Sequence, residues 1–185
     1  MASVGHIAVG MAASRIVNAN ALTERPSPAA MLFWSALSML PDADVIGFPL
    51  GVRYADEWGH RGATHSLVFA AAVGCAIGML APRFRAAALR TAVIASLVLA
   101  SHGLLDTLTD GGLGCALLWP FDRTRYFAPW RPIPVAPIGL GYLSPYGLSV
   151  AVTELVLFSP LFLFALTRWT GVRRRRTSRH QSPTP

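Results

Sequence analysis

Three apolar runs decide what this chain can fold into. Residues 66–81, 87–105 and 148–166 each come close to the ~20 residues that a helix needs to cross ~30 Å of hydrocarbon. Inside a bilayer no water is available to the backbone, so such runs fold as helices that satisfy their own N–H and C=O groups. Two shorter apolar segments, 28–40 and 4–17, read as tilted spans, re-entrant pieces or interfacial helices; the second carries Arg15. The expected fold is all-α, a multi-pass transmembrane helical bundle of three spans, or of four to five if the short segments also cross. Composition agrees, with 53% hydrophobic and 14% charged residues and a mean hydropathy of +0.46. Residues 1–170 form one integral-membrane domain and 171–185 a basic, disordered tail. No basic residue precedes the first apolar core, so that segment is expected to be retained, although Ala19-Asn20-Ala21 superficially resembles a cleavage site.

All sixteen basic residues are arginine, and the formal net charge is +7. The densest run, 173–176, directly follows an apolar segment, the usual place for a topology anchor, so no nucleic-acid partner is expected. Arg83, Arg85 and Arg90 flank the turn between two spans, and Arg168 with the 173–176 run follows the last. The positive-inside rule puts both regions in the cytoplasm. Alternation then places the loops at 41–63 and 107–145 on the outer side of a cell (inner or plasma) membrane, with the tail cytoplasmic. Cys75 and Cys115 match no metal or redox spacing and read as inert thiols.

His180 lies in the tail, whereas His6, His60, His65 and His102 all fall at the outer ends of expected helices or in the adjoining loop. In Ser101-His102-Gly103-Leu104-Leu105-Asp106 the four-residue spacing puts imidazole and carboxylate one turn apart on one helix face, where they can share a metal. Alone the pattern is weak, since a histidine bonded to an aspartate at a helix end leaves the same trace. Ionisable groups at the margin of hydrocarbon are costly, however, and by default mark a working site. In Leu40-Pro41-Asp42-Ala43-Asp44 proline ends an apolar helix and two carboxylates follow, either suited to bridging metals or to capping the helix end. The segment Gly59-His60-Arg61-Gly62-Ala63-Thr64-His65-Ser66 carries two histidines and an arginine. Its glycines are expected to let the backbone approach a ligand, and Thr64 to cap the next helix.

In this order His6, the Leu-Pro-Asp-Ala-Asp segment, the His-Arg-Gly-Ala-Thr-His-Ser segment and the His-Gly-Leu-Leu-Asp segment resemble the YdjM-like family of membrane-bound, predicted metal-dependent hydrolases. Trp119-Pro120-Phe121 and Arg125-Tyr126-Phe127 resemble that family's outer loop, and the likeness covers roughly residues 1–145. More remotely, the ligand order is similar to the first half of the set in zinc-dependent phospholipase C and the related single-strand nucleases. The resemblance implies metal ligation by His6, Asp42, His65, His102 and Asp106, with Asp42 or Asp106 able to bridge. The soluble enzymes continue with further histidines and a glutamate. Beyond Asp106 this chain has only His180 and, inside the last run, Glu154, so a full three-metal site is in doubt.

The chemistry these residues suggest is metal-assisted hydrolysis of a phosphoester, with one to three divalent ions, zinc first and manganese or iron also fitting. Arg61 suits a phosphate, and His60 or Asp44 suits proton transfer or the orienting of ligands. An outer loop with Trp119, Phe121, Tyr126, Phe127 and Trp130 is expected to roof the site, which suits a lipid or lipid-linked substrate. Two other classes fit the same residues: a membrane protein pinned by a structural metal, and a metal or proton transporter. Transport calls for ionisable groups along the depth of several spans, and here, apart from His102 in the His/Asp set gathered on one face, only the charged residues Glu154 and Arg90 lie within the three runs.

Overall fold

In the computed structural model the chain is described over residues 3–17, 25–80 and 85–167; the tail, Arg83, His180 and the 173–176 arginines lie outside these residues. The described residues hold six α-helices: α1 (Ser3–Val17), α2 (Pro28–Met39), α3 (Leu67–Leu80), α4 (Arg85–Thr107), α5 (Pro145–Leu157) and α6 (Ser159–Leu166). Isolated bridges, Thr109 with Ile133 and Cys115 with Tyr126, occur in the long loop between α4 and α5. The all-helical membrane architecture is thus the one expected.

Local chemistry sets the helix starts. Ser27 caps α2 by accepting from the Ala30 N–H at 3.2 Å, and Ser144 caps α5 by accepting from Gly147 N at 3.1 Å, each followed by a proline at the first helical position. For α3 the capping oxygen belongs to Ser66, which accepts from Phe69 N at 3.0 Å, rather than to Thr64. Thr64 is turned into the site instead. As expected, the α-helix stops at Met39, just before Pro41, but the chain does not turn into a loop there. The chain tightens into a 3-10 helix over Leu40–Leu50 with Pro41 in its first turn, where a missing N–H costs nothing.

That continuation changes which segments are long enough to cross. Pro28–Leu50 and Ala87–Thr107 pass by length and apolarity, and α5 with α6 makes a third span if the pair, bent by 61°, is taken as one. The break lies at Phe158 with Pro160 just beyond it, as a proline near a kink requires. α3 has 14 residues, about 21 Å, and is a shorter apolar helix than the run at 66–81 suggested. It pairs tightly with α4 because Gly74 and Gly78, four apart on one face, bring the backbones together. A Cβ on Gly74 would stand 2.5 Å from Ser96 N, and one on Gly78 2.5 Å from the Ala92 Cβ. Ala13, Trp34, Leu37, Ala70, Ala95, Val98 and Leu99 form the core where α1 to α4 meet.

Candidate metal centre

The start of α1, the end of α2 with its 3-10 extension, the start of α3 and the end of α4 meet at one end of this core, and there the polar residues gather. His6, Asp42, His60, Arg61, His65, His102 and Asp106 are each no more than 5% exposed. Gly103 permits one of these close approaches: a Cβ there would stand 2.3 Å from the His65 carbonyl oxygen. Gly59 and Gly62 have a related duty. A Cβ on either would lie 2.1 Å from a backbone oxygen, of Arg53 or of Glu57. Contrary to the sequence expectation, these two glycines admit the protein's own chain rather than a ligand.

The imidazoles of His102, His65 and His60 are held through Nδ1. His102 Nδ1 donates to the Ser38 carbonyl at 2.7 Å, which selects the tautomer whose lone pair is on Nε2. That nitrogen faces Asp42 Oδ1 at 3.3 Å and His65 Nε2 at 3.2 Å. His65 Nε2 is itself 3.4 Å from Asp42 Oδ1 and 3.7 Å from Asp106 Oδ2, while its Nδ1 is 3.3 Å from Asp44 Oδ2. Asp44 is already well occupied. It accepts from His60 Nδ1 at 2.8 Å, from the Thr64 hydroxyl at 2.9 Å and from Arg61 N at 3.2 Å. Asp44 thus holds His60 by a hydrogen bond and lies against His65.

Asp42, His65, His102 and Asp106 each offer one ligand atom, all within 4.8 Å of one another, and Asp44, His60 and His65 form a second such group. In the first group neither oxygen of Asp42 has a hydrogen-bond partner, and two ring nitrogens confront each other. Two imidazoles and two carboxylates so arranged fit a divalent ion. The atoms of the second group hydrogen-bond one another, as a supporting shell does. His6, a ligand by resemblance, is stacked on His102 with ring centroids 3.6 Å apart and points its Nε2 at Asp106 Oδ1, 3.3 Å away. It adjoins the converging group without belonging to it.

Arg61 is fully buried, with Nε 3.0 Å from Asp106 Oδ2 and Nη1 donating to the Gly111 carbonyl at 2.8 Å. Its Nη2 has no hydrogen-bond partner. Its backbone sits at φ 65°, an uncommon conformation for a residue with a side chain. The long loop closes over it: Ala116 N donates to Arg61 O at 3.0 Å, and Arg125 Nη1 donates to His60 O at 2.9 Å. The expected aromatic roof is not what covers the site. Phe121 is 87% and Trp130 74% exposed on the outer surface, and Trp119 packs edge-on against Trp58. The loops reach the site instead through the Arg125 guanidinium, the Tyr54 ring edge-on to His60, and Ala116 with Cys115, whose buried thiol has its pKa pushed up and is inert.

Burial alone would discharge His65, but the carboxylates of Asp42, Asp44 and Asp106 gathered around it outweigh that and raise its pKa to about 9. The geometry agrees, since with His102 Nε2 bare the proton between the rings belongs to His65. A metal taking His65 Nε2 must displace that proton. Apparent metal affinity is therefore expected to rise with pH up to about 9, with about one proton released per ion bound at neutral pH. Titration calorimetry in buffers of differing ionisation enthalpy measures the release; a value of zero would exclude His65 as a ligand.

Sequence reasoning missed the Ser38 carbonyl, Gly111 and the role of Glu154. Glu154 is fully buried and is no part of either ligand group. Its Oε2 accepts from Val4 N at 2.7 Å and Gly5 N at 3.1 Å, capping α1 one residue before His6. Glu154→Ala is expected to leave both N–H groups unsatisfied, at about 1–3 kcal/mol each, and to lower the detergent unfolding temperature by several degrees. Glu154→Gln keeps a carbonyl acceptor and should lose much less; equal losses would argue against the cap.

Compared with known proteins, the chain matches the model of the YdjM inner membrane protein family over residues 1–177. It is 46% identical over 143 residues to Inner membrane protein YbcI of Escherichia coli (strain K12), covering 75% of this chain and 81% of that protein. No solved structure matches.

Proposed function

This chain belongs to the YdjM inner membrane protein family, and from that premise we propose that it is a membrane-bound metal-dependent hydrolase acting on a phosphoester. The observation that carries this reading is Arg61: a buried cation against a ligand carboxylate, with an Nη2 that lacks a partner. A planar guanidinium with a free donor is suited to a phosphoryl oxygen. Asp42, His65, His102 and Asp106 would hold the metal. When bound, a divalent ion supplies Lewis acidity and lowers the pKa of water. Arg61 then binds substrate oxygen, Asp44 fixes the rings of His65 and His60, and His60 is placed to move a proton. The ligand chemistry favours zinc, with manganese or iron as alternatives.

A second reading, a structural metal that pins short helices, is favoured by the near-complete burial of the ligands. Transport is disfavoured because the buried charges within the helices are already used as caps: Glu154 on α1, and Arg15 on the carbonyls of Phe164 and Thr167 at the end of α6. Elemental analysis with a panel of phosphoesters separates the two readings that remain. Hydrolysis by metal-loaded protein supports the first, and a metal without turnover of any substrate supports the second.

From the arginine pattern we infer that the centre faces the outer side of the membrane. With Cys75 and Cys115 replaced by alanine, a cysteine at Phe121, 87% exposed, should be labelled in intact cells by an impermeant maleimide, and one at Ser178 should not. The reverse pattern would turn the centre to the cytoplasm.

A further inference from the structure

Beside the centre lies an apolar cleft of about 220 Å³, walled by Leu67 of α3, Thr107 of α4, and Leu117, Leu118, Phe127 and Ala128 of the long loop. Chain connectivity ties it to the ligands. Leu67 is two residues beyond His65, and Thr107 follows Asp106. The Leu117 Cδ2 lies 3.1 Å from where a Cβ would stand on Gly103, the neighbour of His102. Backbone bonds fix the walls: Leu67 N to Leu117 O at 3.0 Å, and Ala128 N to Thr107 O at 2.9 Å. The cleft's hydroxyls are spoken for, that of Thr107 donating to Leu104 O and that of Tyr126 to Asp122. Next to its walls along α3 and α4 the apolar side chains are exposed, Leu67 at 39%, Val68 at 38% and Leu104 at 48%.

We propose that this cleft receives an acyl chain of a membrane lipid and thereby makes the substrate class a lipid phosphoester. For the reaction the inference rests on the hydrolase reading; for the binding it does not. An aqueous ligand would find few free polar groups here, whereas a chain entering from the bilayer passes along these exposed apolar side chains and brings its headgroup to the side of the cleft where the ligands lie. Each methylene accommodated is worth roughly fourfold in affinity.

The test uses the full chain in phospholipid nanodiscs doped with a phosphatidic acid carrying a diazirine near the end of one acyl chain. After photolysis, adducts mapped by mass spectrometry are expected at Leu117, Leu118 and Phe127 in excess over those at Val93 and Val152 on exposed helix faces. Ala128→Trp and Leu118→Trp fill the cleft and should each cut its adducts at least tenfold, leaving those at Val93 and the metal content unchanged. Leu118 is 45% exposed, so its replacement spares the fold. Cleft adducts no denser than at Val93, or unmoved by both tryptophans, would overturn the proposal. Both variants should also lose at least tenfold in kcat/KM on the phosphatidic acid while keeping their rate on p-nitrophenyl phosphate. Cleft adducts in a protein that hydrolyses neither substrate would uphold the cleft and bring down the hydrolase reading.

Discussion

His102→Ala is expected to lose most of the bound metal, with a fall in affinity of at least a hundredfold, while the protein still reaches the membrane. The residue supplies an Nε2 that the Nδ1 bond to the Ser38 carbonyl holds facing Asp42, and the donors left behind cannot complete a tetrahedral site. His65→Ala and Asp42→Ala should behave alike. Asp44→Asn acts one step further out, since it weakens the hydrogen bonds that orient His65 and His60. Its expected loss is about ten- to a hundredfold, the usual scale for a residue that orients a ligand. Competition against a chelating dye measures both. Equal affinities in wild type, His102→Ala and Asp44→Asn would remove the metal from this cluster.

Arg61→Lys is expected to keep the metal and lose hydrolysis. Alanine would be a poor probe, because Arg61 is an ion-pair partner of the buried Asp106, and deleting one member of a buried pair commonly costs about 3–5 kcal/mol. Lysine retains the charge and removes the fork. If Nη2 takes a phosphoryl oxygen in the transition state, the loss should appear in kcat/KM. His60→Ala should retain metal too, since the nitrogen it presents is bound to Asp44, and lose about a hundred- to ten-thousandfold in rate if it moves a proton. Full activity in both variants would favour the metal-pinned scaffold.

Much of the centre was legible because its residues obey local rules. The spacing of His102 and Asp106 places them on one helix face whatever surrounds them, and the alternation of spans alone brings residues 42, 65 and 106 to the same end. What could not be read were contacts made by the backbone or across long stretches of chain. The Ser38 carbonyl that fixes His102 has no side-chain signature, and Glu154 caps a helix start about 150 residues earlier. The α-helix ends before Pro41 as read, but the 3-10 segment that follows it was not legible, because the proline ring is tolerated in that segment's first turn. The aromatic residues of the loop were assigned to the roof on composition. Their outward placement is set by the bond of Ala116 N to Arg61 O and by the Arg125 contacts, which bring Ala116 and the Arg125 guanidinium to the site instead.

The central claim is that Asp42, His65, His102 and Asp106 form a metal centre. X-ray absorption at the edge of whichever divalent metal accompanies the protein, purified without chelator, tests it most directly. The account predicts a first shell of nitrogen and oxygen at about 2.0–2.2 Å, with the multiple scattering of two imidazoles, and no sulfur. A folded, membrane-extracted protein that carries no transition metal and takes none up, or one whose metal shows a sulfur shell or no imidazole, would contradict it.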